Sequence, residues 1–190
     1  MGVLALQGDF VEHIRALDTL AIATREIRLP RDLEGLDGLV IPGGESTTIS
    51  LLMDSYGLRE PVKSLASRGV PVWGTCAGLI MLAETVVPDY PKPLGLMNIK
   101  VARNTFGRQV DSFEADITVC GLAGGLFHAI FIRAPLINWA GNGVNIIAQL
   151  HDGRIVAARQ GNMLGTAFHP ELGDDYRMHK YFLAMVKAHR

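Results

Sequence analysis

The first half of the chain alternates short apolar runs with segments whose apolar residues recur at helical spacing. The apolar runs predict buried β-strands, and the segments between them predict connecting helices. The predicted strands are Val3 to Leu6, Thr24 to Leu29, Leu36 to Ile41 and Val70 to Trp73. Because strand and helix alternate, the pattern favours a parallel sheet covered on both faces.

Two of these helices carry clear terminal signals. In the first helix Asp9 is the predicted N-cap, and Glu12 stands where it completes a capping box. A later helix is predicted to close at Gly69. The apolar faces of the two helices are formed by Phe10, Ile14, Leu17 and Ala21, and by Leu58, Val62, Leu65 and Ala66.

Beyond Val87 the pattern changes to the period-two alternation of half-buried strands. His151-Asp152-Gly153 is a hairpin signal, so these strands are expected to pair antiparallel and to extend the same sheet. The predicted strands are Leu96 to Ala102, Ser112 to Val119, one ending at Ile132, Val144 to Leu150, Arg154 to Arg159 and Met163 to Phe168. A final helix is predicted after Asp174 and Asp175, with Met178, Tyr181, Phe182 and Met185 on one stripe.

Composition narrows the class of protein. The 190 residues are 48% hydrophobic with a net charge of -1, which is typical of one globular α/β domain spanning residues 1–190. Balanced charge gives no reason to expect a nucleic-acid or membrane partner. The apolar run at Val3 to Leu6 is too short for a signal-peptide core, so a cytoplasmic location with both cysteines reduced is expected.

The most informative stretch is Val70 to Leu82, where Gly74 and Gly78 bracket Cys76 between a predicted strand and a predicted helix from about Ala77 to Glu84. This spacing is that of a nucleophile elbow, in which a sharp turn exposes a reactive side chain above the end of a strand. A helix N-terminus also favours a thiolate over a thiol. A buried structural cysteine in a tight turn remains the alternative on this motif alone.

A catalytic thiol needs a base, and His169 is the histidine that closes an apolar strand and is followed by Pro170 and Glu171. Pro170 is expected to hold the segment extended, with Glu171 within reach of orienting an imidazole. Solvated or capping roles are the default for the other histidines, which we set aside as candidates. They are His13, His128, His151, His179 and His189. A strand-end histidine in a polar loop is the alternative for His169.

Acyl chemistry also needs donors for an oxyanion. An elbow supplies one from the backbone N–H of the residue after the nucleophile, Ala77. Gly43 and Gly44, at the end of a predicted strand, are candidates for the other. Taken alone these glycines are an ordinary turn, and Glu45-Ser46-Thr47 is a possible cap of the next helix.

Taken together, Gly74-Thr75-Cys76-Ala77-Gly78, the Pro42-Gly43-Gly44 loop and His169-Pro170-Glu171 resemble the class I (triad) glutamine amidotransferases. Further segments resemble the glutaminase subunits of pyridoxal 5'-phosphate synthase, the PdxT/SNO family, over essentially the whole chain. These segments are LALQGD at Leu4 to Asp9, PGGEST at Pro42 to Thr47, RNTFGRQVDSFEAD at Arg103 to Asp116, FIRAP at Phe131 to Pro135 and AARQG at Ala157 to Gly161.

The resemblance implies a three-layer αβα sandwich with a mixed, mostly parallel central sheet. It implies hydrolysis of L-glutamine and transfer of ammonia to a separate synthase subunit, which builds the vitamin B6 ring from a pentose phosphate and a triose phosphate. Neither a cofactor nor a metal is expected.

Carried over residue by residue, the resemblance makes Cys76 the nucleophile, His169 the general acid and base, and Glu171 the third member of the triad. Gly44 and Ala77 would form the oxyanion hole, and Gln7 and Gly8 would lie at the synthase interface. The residues implied to hold glutamine are Gly44, Glu45, Ser46, Arg103, Ile132 and Arg133.

Three other interpretations stay open at this point. The glutaminase subunit of another amidotransferase would keep the triad but has no reason to carry the run from Arg103 to Asp116. A cysteine hydrolase or redox sensor would not need His169-Pro170-Glu171. A catalytically silent scaffold that only binds a synthase is disfavoured by the intact triad.

Overall fold

The structure, a computed structural model, describes residues 1–103 and 112–189. The helices are α1 (Phe10–Thr19), α2 (Ser46–Ser55), α3 (Arg59–Ser67), α4 (Ala77–Leu82) and α5 (Arg177–His189), with 3-10 helices at Pro30–Leu33 and Pro170–Leu172. The strands are β1 (Gly2–Leu4), β2 (Arg25–Ile27), β3 (Leu39–Ile41), β4 (Val72–Thr75), β5 (Ala83–Val87), β6 (Met97–Ala102), β7 (Ser112–Ile117), β8 (Phe127–Ile132), β9 (Leu136–Ala140), β10 (Asn145–Gln149), β11 (Ile155–Gln160) and β12 (Met163–Thr166).

A ten-stranded sheet runs in the order β2-β1-β3-β4-β12-β11-β9-β6-β5, with β10 paired to β11. The strands from β2 to β12 in this order are parallel, as are β5 and β6. The pairs that involve β9, β10 and β11 are antiparallel. This mixed sheet with its helices confirms the predicted fold class, and it draws strands from both halves of the chain.

The direction of the crossovers explains why helices cover both faces. The chain steps from β1 outward to β2 and later from β3 to β4 in the opposite direction. Right-handed connections then place α1 on one face and α2 with α3 on the other. On the α1 face, the rings of His13 and His179 lie 5.6 and 5.1 Å from that of Trp73 in β4, so α1 and α5 cover the same part of the sheet.

Burial follows from this layering. Leu39, Val40 and Ile41 of β3 have no exposed surface, because both faces of a central parallel strand are covered. In β8, by contrast, buried and exposed residues alternate. Each large apolar side chain that is fully buried contributes about 1.5–3 kcal/mol. The bulkiest are Trp73, Phe127, Phe131, Phe168 and Phe182.

The structure corrects two expectations about the elements and adds strands that the sequence pattern missed. Strands β7 and β8 form a separate two-stranded sheet and do not extend the main one, because they pair only with each other along their full length. Helix α4 ends at Leu82, two residues before the predicted end, since Ala83 enters β5 and pairs with β6. Strands β5 and β9 were not predicted. The rest of the hairpin interpretation is confirmed, with β10 and β11 antiparallel.

None of the helices within residues 1–103 and 112–189 has both the length and the apolar character needed to cross a bilayer.

Candidate active site

Cys76 lies at the turn between β4 and α4 with φ 46° and ψ -101°, a conformation that is costly for a residue with a Cβ. Its backbone N–H donates to the carbonyl of Thr166 at 2.8 Å, which fixes the turn against the neighbouring strand. A Cβ on Gly74 would collide with the backbone of Gly78, and a Cβ on Gly78 would collide with the carbonyl of Ile41. Both glycines are therefore required for the chain to reverse at the cysteine.

His169 reaches the same place from the adjacent strand. Strands β4 and β12 are parallel and pair Thr75 with Thr166, so Cys76 and the segment leading to His169 leave the sheet side by side. The His169 backbone N–H donates to the carbonyl of Ile130 at 2.8 Å, which ties the segment to β8 as well. Register between two central strands thus sets the position of the imidazole relative to the thiol.

Glu171 lies directly behind the imidazole. Its Oε1 is 2.8 Å from His169 Nδ1, and both side chains are buried. The expectation that Pro170 keeps this segment extended is wrong: residues 170–172 form a 3-10 helix, closed by a bond from the Leu172 N–H to the His169 carbonyl. The tight turn brings the carboxylate back over the ring two residues earlier. His169 Nε2, which has no hydrogen-bond partner within the described part of the chain, remains free for chemistry.

The surroundings of His169 favour the imidazolium. Burial alone would lower the pKa of His169, but the neighbouring Asp9, Cys76 and Glu171 side chains raise it well above its ordinary value. Burial raises the pKa of Glu171, and its contact with His169 opposes that rise. The arrangement therefore suits a thiolate and imidazolium pair supported by a carboxylate.

Asp9 supplies a second carboxylate at this imidazole, which sequence analysis did not anticipate. Its Oδ2 lies 3.3 Å from His169 Nδ1. The predicted capping box at Asp9 and Glu12 is wrong, because the Asp9 side chain makes no capping hydrogen bond to α1 and instead faces His169. Asp9, His169 and Glu171 bring three potential ligand atoms within 4.8 Å of one another, but the short Nδ1 to Oε1 contact is a hydrogen bond and we assign no metal here.

The candidate oxyanion loop, Gly43 and Gly44, is tied to the loop that precedes α1. The Asp9 N–H donates to the Gly43 carbonyl at 3.1 Å, and the Glu45 N–H donates to Gln7 Oε1 at 2.7 Å. Gly44 has φ 142° and Gly8 has φ 94°, both in the region that favours glycine. Two hydrogen bonds therefore hold the two loops against each other. Ala77 begins α4, where backbone N–H groups lack partners inside the helix.

These groups open onto a cavity of about 400 Å³. Of the predicted site residues, Glu171, which lies behind His169, and the candidate oxyanion residue Gly43 do not line it, and all the others do. The lining residues are Gln7, Gly8, Asp9, Gly44, Glu45, Ser46, Cys76, Ala77, Ile80, Arg103, Ile132, Arg133, His169 and Leu172. Asp9, Ile80 and Leu172 were not predicted. Most of the run from Arg103 to Asp116, residues 104–111, lies outside the described residues.

The polar lining carries charges of both signs. Glu45 caps α2 by accepting from the Thr47 and Thr48 N–H groups at 2.9 and 2.7 Å, and these bonds lower the pKa of Glu45 although burial raises it. Arg103 Nη2 lies 3.6 Å from Glu45 Oε1. The carbonyl oxygen of Ile132 is 3.8 Å from Cys76 Sγ. The next residue, Arg133, has φ 43°, in the left-handed region. Such a cavity suits a small zwitterion.

Two histidines that we had set aside are placed differently from the expectation. His13 and His179 are entirely buried behind the triad, not solvated on their helices. Both residues lie on the faces of their helices that pack against β4. Their burial could have been predicted only by knowing which face of each helix packs on the sheet. His128, His151 and His189 are exposed, as expected.

A model described as the SNO glutamine amidotransferase family matches residues 3–188. The chain belongs to the SNO glutamine amidotransferase family. It is 54% identical to the pyridoxal 5'-phosphate synthase subunit PdxT of Dehalococcoides mccartyi, over 100% of this chain and 98% of the relative. It is 55% identical to the protein of the same name from Geobacillus kaustophilus, over 98% and 94% of the two chains.

Solved structures agree with the family assignment. A crystal structure of a glutamine amidotransferase superposes with a TM-score of 0.93 at 48% identity, covering 98% of each chain. A structure of PurLQS from Thermotoga maritima superposes with a TM-score of 0.69 at 15% identity, covering 96% of each chain. The second likeness shows the fold alone.

Proposed function

We propose that this SNO-family chain is the glutaminase subunit of a pyridoxal 5'-phosphate synthase: it hydrolyses L-glutamine to L-glutamate and ammonia and passes the ammonia to a separate synthase subunit. One observation carries the proposal. The strained turn at Cys76 opens onto the same cavity as His169, whose other face is held by Glu171 at 2.8 Å. Full-length identity to proteins named pyridoxal 5'-phosphate synthase subunit PdxT supports the assignment to that complex.

In the first half of the reaction the Cys76 thiolate attacks the side-chain carboxamide carbon of glutamine. A carbon–sulfur bond forms, and the carbonyl electrons move to oxygen, where the Gly44 and Ala77 N–H groups stabilise the oxyanion. The His169 imidazolium then gives its Nε2 proton to the nitrogen as the carbon–nitrogen bond breaks. Ammonia leaves, and a γ-glutamyl thioester remains on Cys76.

In the second half His169, now neutral, takes a proton from water as the water oxygen attacks the thioester carbon. Collapse of the tetrahedral intermediate breaks the carbon–sulfur bond and restores the thiolate beside an imidazolium. The product leaves as the γ-carboxylic acid, which gives its proton to water to become glutamate. Glu171 keeps the imidazole oriented through Nδ1 and stabilises its positive charge in both halves. His169 is thus the acid of the first half and the base of the second.

The charges of the cavity fit the zwitterionic end of glutamine. We assign Arg103 and Arg133 to the α-carboxylate and Glu45 to the α-ammonium group, with Ser46 and the backbone of Ile132 completing the site. The contact between Arg103 and the half-exposed carboxylate of Glu45 is long, at 3.6 Å, and a closer pair with the substrate carboxylate would be stronger. Arg103 is therefore available to substrate while its Nη1 keeps the hydrogen bond to the Tyr90 carbonyl. Glutamine would then enter with its carboxamide toward Cys76.

Ammonia released into water near neutral pH is mostly protonated and no longer nucleophilic, so a glutaminase of this kind gains from docking onto its acceptor. We assign the loop at Gln7 and Gly8 to the synthase interface, because this loop lines the cavity and bonds to the oxyanion loop. A cytoplasmic location is part of the same proposal and suits the free thiols of Cys76 and Cys120.

The test is a reconstituted synthase with a pentose phosphate and a triose phosphate. With glutamine as nitrogen source, we expect pyridoxal 5'-phosphate and glutamate to form together, and Cys76→Ala to abolish both. Ammonium chloride should restore pyridoxal 5'-phosphate formation in the presence of Cys76→Ala. The matched control is Cys120→Ala, which removes an exposed thiol and should leave both rates unchanged.

The same variants identify the nucleophile. An electrophilic glutamine analogue should label Cys76 and not Cys120 when the modified peptide is mapped by mass spectrometry. Labelling at Cys120, or glutamine hydrolysis by Cys76→Ala, would refute the assignment. A wild-type chain that supports no glutamine-dependent synthesis with any synthase subunit would refute the proposed complex.

A further inference from the structure

A buried polar cluster lies behind the triad, formed by His13 on α1, His179 on α5 and Thr75 at the end of β4. The two imidazoles and the threonine have no exposed surface. Apolar residues surround them, among them Trp73, whose ring packs edge-on against both imidazoles. Burying an imidazole costs free energy unless its nitrogens find partners, so the contacts of this cluster decide why it exists.

The cluster leads directly to Glu171. His13 Nε2 forms a hydrogen bond with Thr75 Oγ1 at 3.1 Å and lies 3.3 Å from Glu171 Oε2, the carboxylate oxygen that does not face His169. Glu171 Oε2 makes no hydrogen bond within the described part of the chain, so its contact with His13 is an approach to ion-pair distance. On the other side of the ring, His13 Nδ1 lies 3.1 Å from His179 Nε2. His179, His13, Glu171 and His169 therefore form one continuous chain of contacts that ends at the catalytic imidazole.

Both histidines of the cluster are neutral. Burial lowers the pKa of His179 to about 4. Burial, with the charges of His179 and His169, holds the pKa of His13 well below its ordinary value. A neutral imidazole has one N–H and one lone pair, so the direction of each hydrogen bond in the chain follows from its neighbours.

The carboxylate fixes that direction. An ionised Glu171 only accepts, so a favourable contact requires the proton of His13 on Nε2. His13 Nδ1 is then the acceptor of the N–H on His179 Nε2, and His179 Nδ1 is left as a lone pair, in agreement with its lack of a partner in the described part of the chain. The opposite arrangement would set a lone pair of His13 against the carboxylate and leave a buried N–H of His179 unpartnered, which is costlier.

We propose that His13 is a positioning residue of the triad: its Nε2–H, which lies within reach of both Thr75 Oγ1 and Glu171 Oε2, serves as a donor to this otherwise unpartnered carboxylate oxygen and holds Glu171 with Oε1 on His169 Nδ1. The proposal rests on the proposed glutaminase function and adds a residue to it. Thr75 and His179 act one step further back, by fixing the ring and the tautomer of His13. The second carboxylate oxygen of Glu171, which would otherwise be buried without a donor, is thereby stabilised in its charged form.

The first test is kinetic and uses three variants of the full-length chain, assayed for glutamate release in the reconstituted complex. His13→Leu removes the donor, and we expect kcat to fall about tenfold or more with KM changed less than about twofold. His13→Gln places an amide N–H near the former Nε2, and it should restore kcat to within about threefold of wild type. The control is Leu17→Ala on the same helix, a buried residue that does not contact Glu171, which should lower stability without lowering kcat.

The second readout is the pH profile of kcat/KM. Losing the N–H donor disfavours the carboxylate and raises the pKa of Glu171, so the acid limb of His13→Leu should move upward by about one pH unit. The other titratable groups that face this cluster are His169 on its own segment, Asp9 on the loop before α1, Cys76 at the start of α4 and His179 on α5. All of them are retained in the variants, so a shift common to His13→Leu and His13→Gln would contradict the proposal.

The third readout does not depend on activity. Nitrogen-15 spectra of histidine-labelled wild-type protein should show a neutral ring protonated on Nε2 from pH 6 to 8, assigned to His13 by its absence in His13→Gln. A ring protonated on Nδ1 would overturn the proposal, as would a His13→Leu variant with the kcat of wild type or a His13→Gln variant as impaired as His13→Leu. Wild-type protein without glutaminase activity would instead refute the proposed function, while the tautomer would still decide the hydrogen bond.

Discussion

Asp9 Oδ2 lies 3.3 Å from His169 Nδ1, the nitrogen that Glu171 already occupies at 2.8 Å. One N–H therefore faces two carboxylates, one buried and one about a third exposed at the mouth of the cavity. The shorter contact makes Glu171 the principal partner. Asp9 acts on the same imidazole through its charge, and it also carries the backbone N–H that holds the Gly43 carbonyl.

Replacing Asp9 by asparagine should shift the pH dependence of catalysis. Asp9 raises the pKa of His169, so its loss lowers that pKa and the imidazolium gives up its proton at a lower pH. We expect the alkaline limb of kcat/KM to move to lower pH while the backbone bond to Gly43 is kept. The matched control is Asp18→Asn, an exposed acid at the far end of α1. Equal alkaline limbs in wild type and Asp9→Asn would contradict the role.

His169 and Glu171 should differ in the size of their effects on catalysis. His169→Ala removes proton transfer, for which we expect a loss in kcat of about 10²–10⁴. Glu171→Gln keeps the imidazole but removes the charge that stabilises the imidazolium, so its loss should be smaller. Steady-state glutaminase kinetics in the complex compare the variants. If Glu171→Gln matched wild type, Glu171 would have no part in the mechanism.

Gln7 should control the oxyanion loop. The isolated chain is expected to hydrolyse glutamine slowly, and a synthase subunit that docks at Gln7 and Gly8 should raise the rate by ordering Gly43 and Gly44. One missing oxyanion donor costs about 10²–10³ in rate. Gln7→Ala removes the acceptor of the Glu45 N–H and should blunt this activation. The measurement is glutamate production by wild type and by Gln7→Ala as each is titrated with the synthase subunit. A free wild-type chain that is already fully active, with a rate unchanged by the synthase, would contradict the prediction.

His179 should make the protein sensitive to mild acid. Its pKa is lowered by burial to about 4 in the folded chain. As the pH falls below about 6.5, His179 becomes protonated in the unfolded chain but stays neutral in the folded chain. The free energy of unfolding therefore decreases as the pH falls from about 6.5 to about 4. The loss attributable to His179 is on the order of 3 kcal/mol. Urea unfolding at several pH values should show a weaker dependence for His179→Gln; parallel curves would contradict the prediction.

The parts of the fold that the sequence predicted are those with local signals. Strands β1, β3 and β4 were predicted from apolar runs that are followed within two residues by glycine, and the hairpin of β10 and β11 was predicted from the turn at Gly153. The separation of β7 and β8 from the main sheet had no such signal, because period-two alternation shows that one face is buried and not which strands pair. The ambiguity at Ala83 is of the same kind, since a short apolar run suits a helix or a strand.

In the candidate site, residues with a signal in their own stretch of sequence were found, and those whose role depends on distant contacts were not. Cys76 lies between two glycines that permit a sharp turn, and His169 precedes a proline that limits its backbone, which sequence alone reveals. Asp9 carries an ordinary capping signal, yet its carboxylate faces an imidazole that arrives from the other end of the chain. The burial of His13 depends on the packing of α1 against β4 and α5, which is a tertiary contact.

The position of β12 in the sheet has a consequence for synthesis of the protein. This strand comes last in the sequence but lies between β4 and β11, and it joins the earlier strand through the Trp73 Nε1 to Thr166 Oγ1 hydrogen bond, across 93 residues. Pairing at such separation is slow to form, and it is impossible before the C-terminal residues have left the ribosome. A nascent chain therefore carries its cysteine long before it carries the histidine beside it, and hydrolysis begins only when the last strand is inserted.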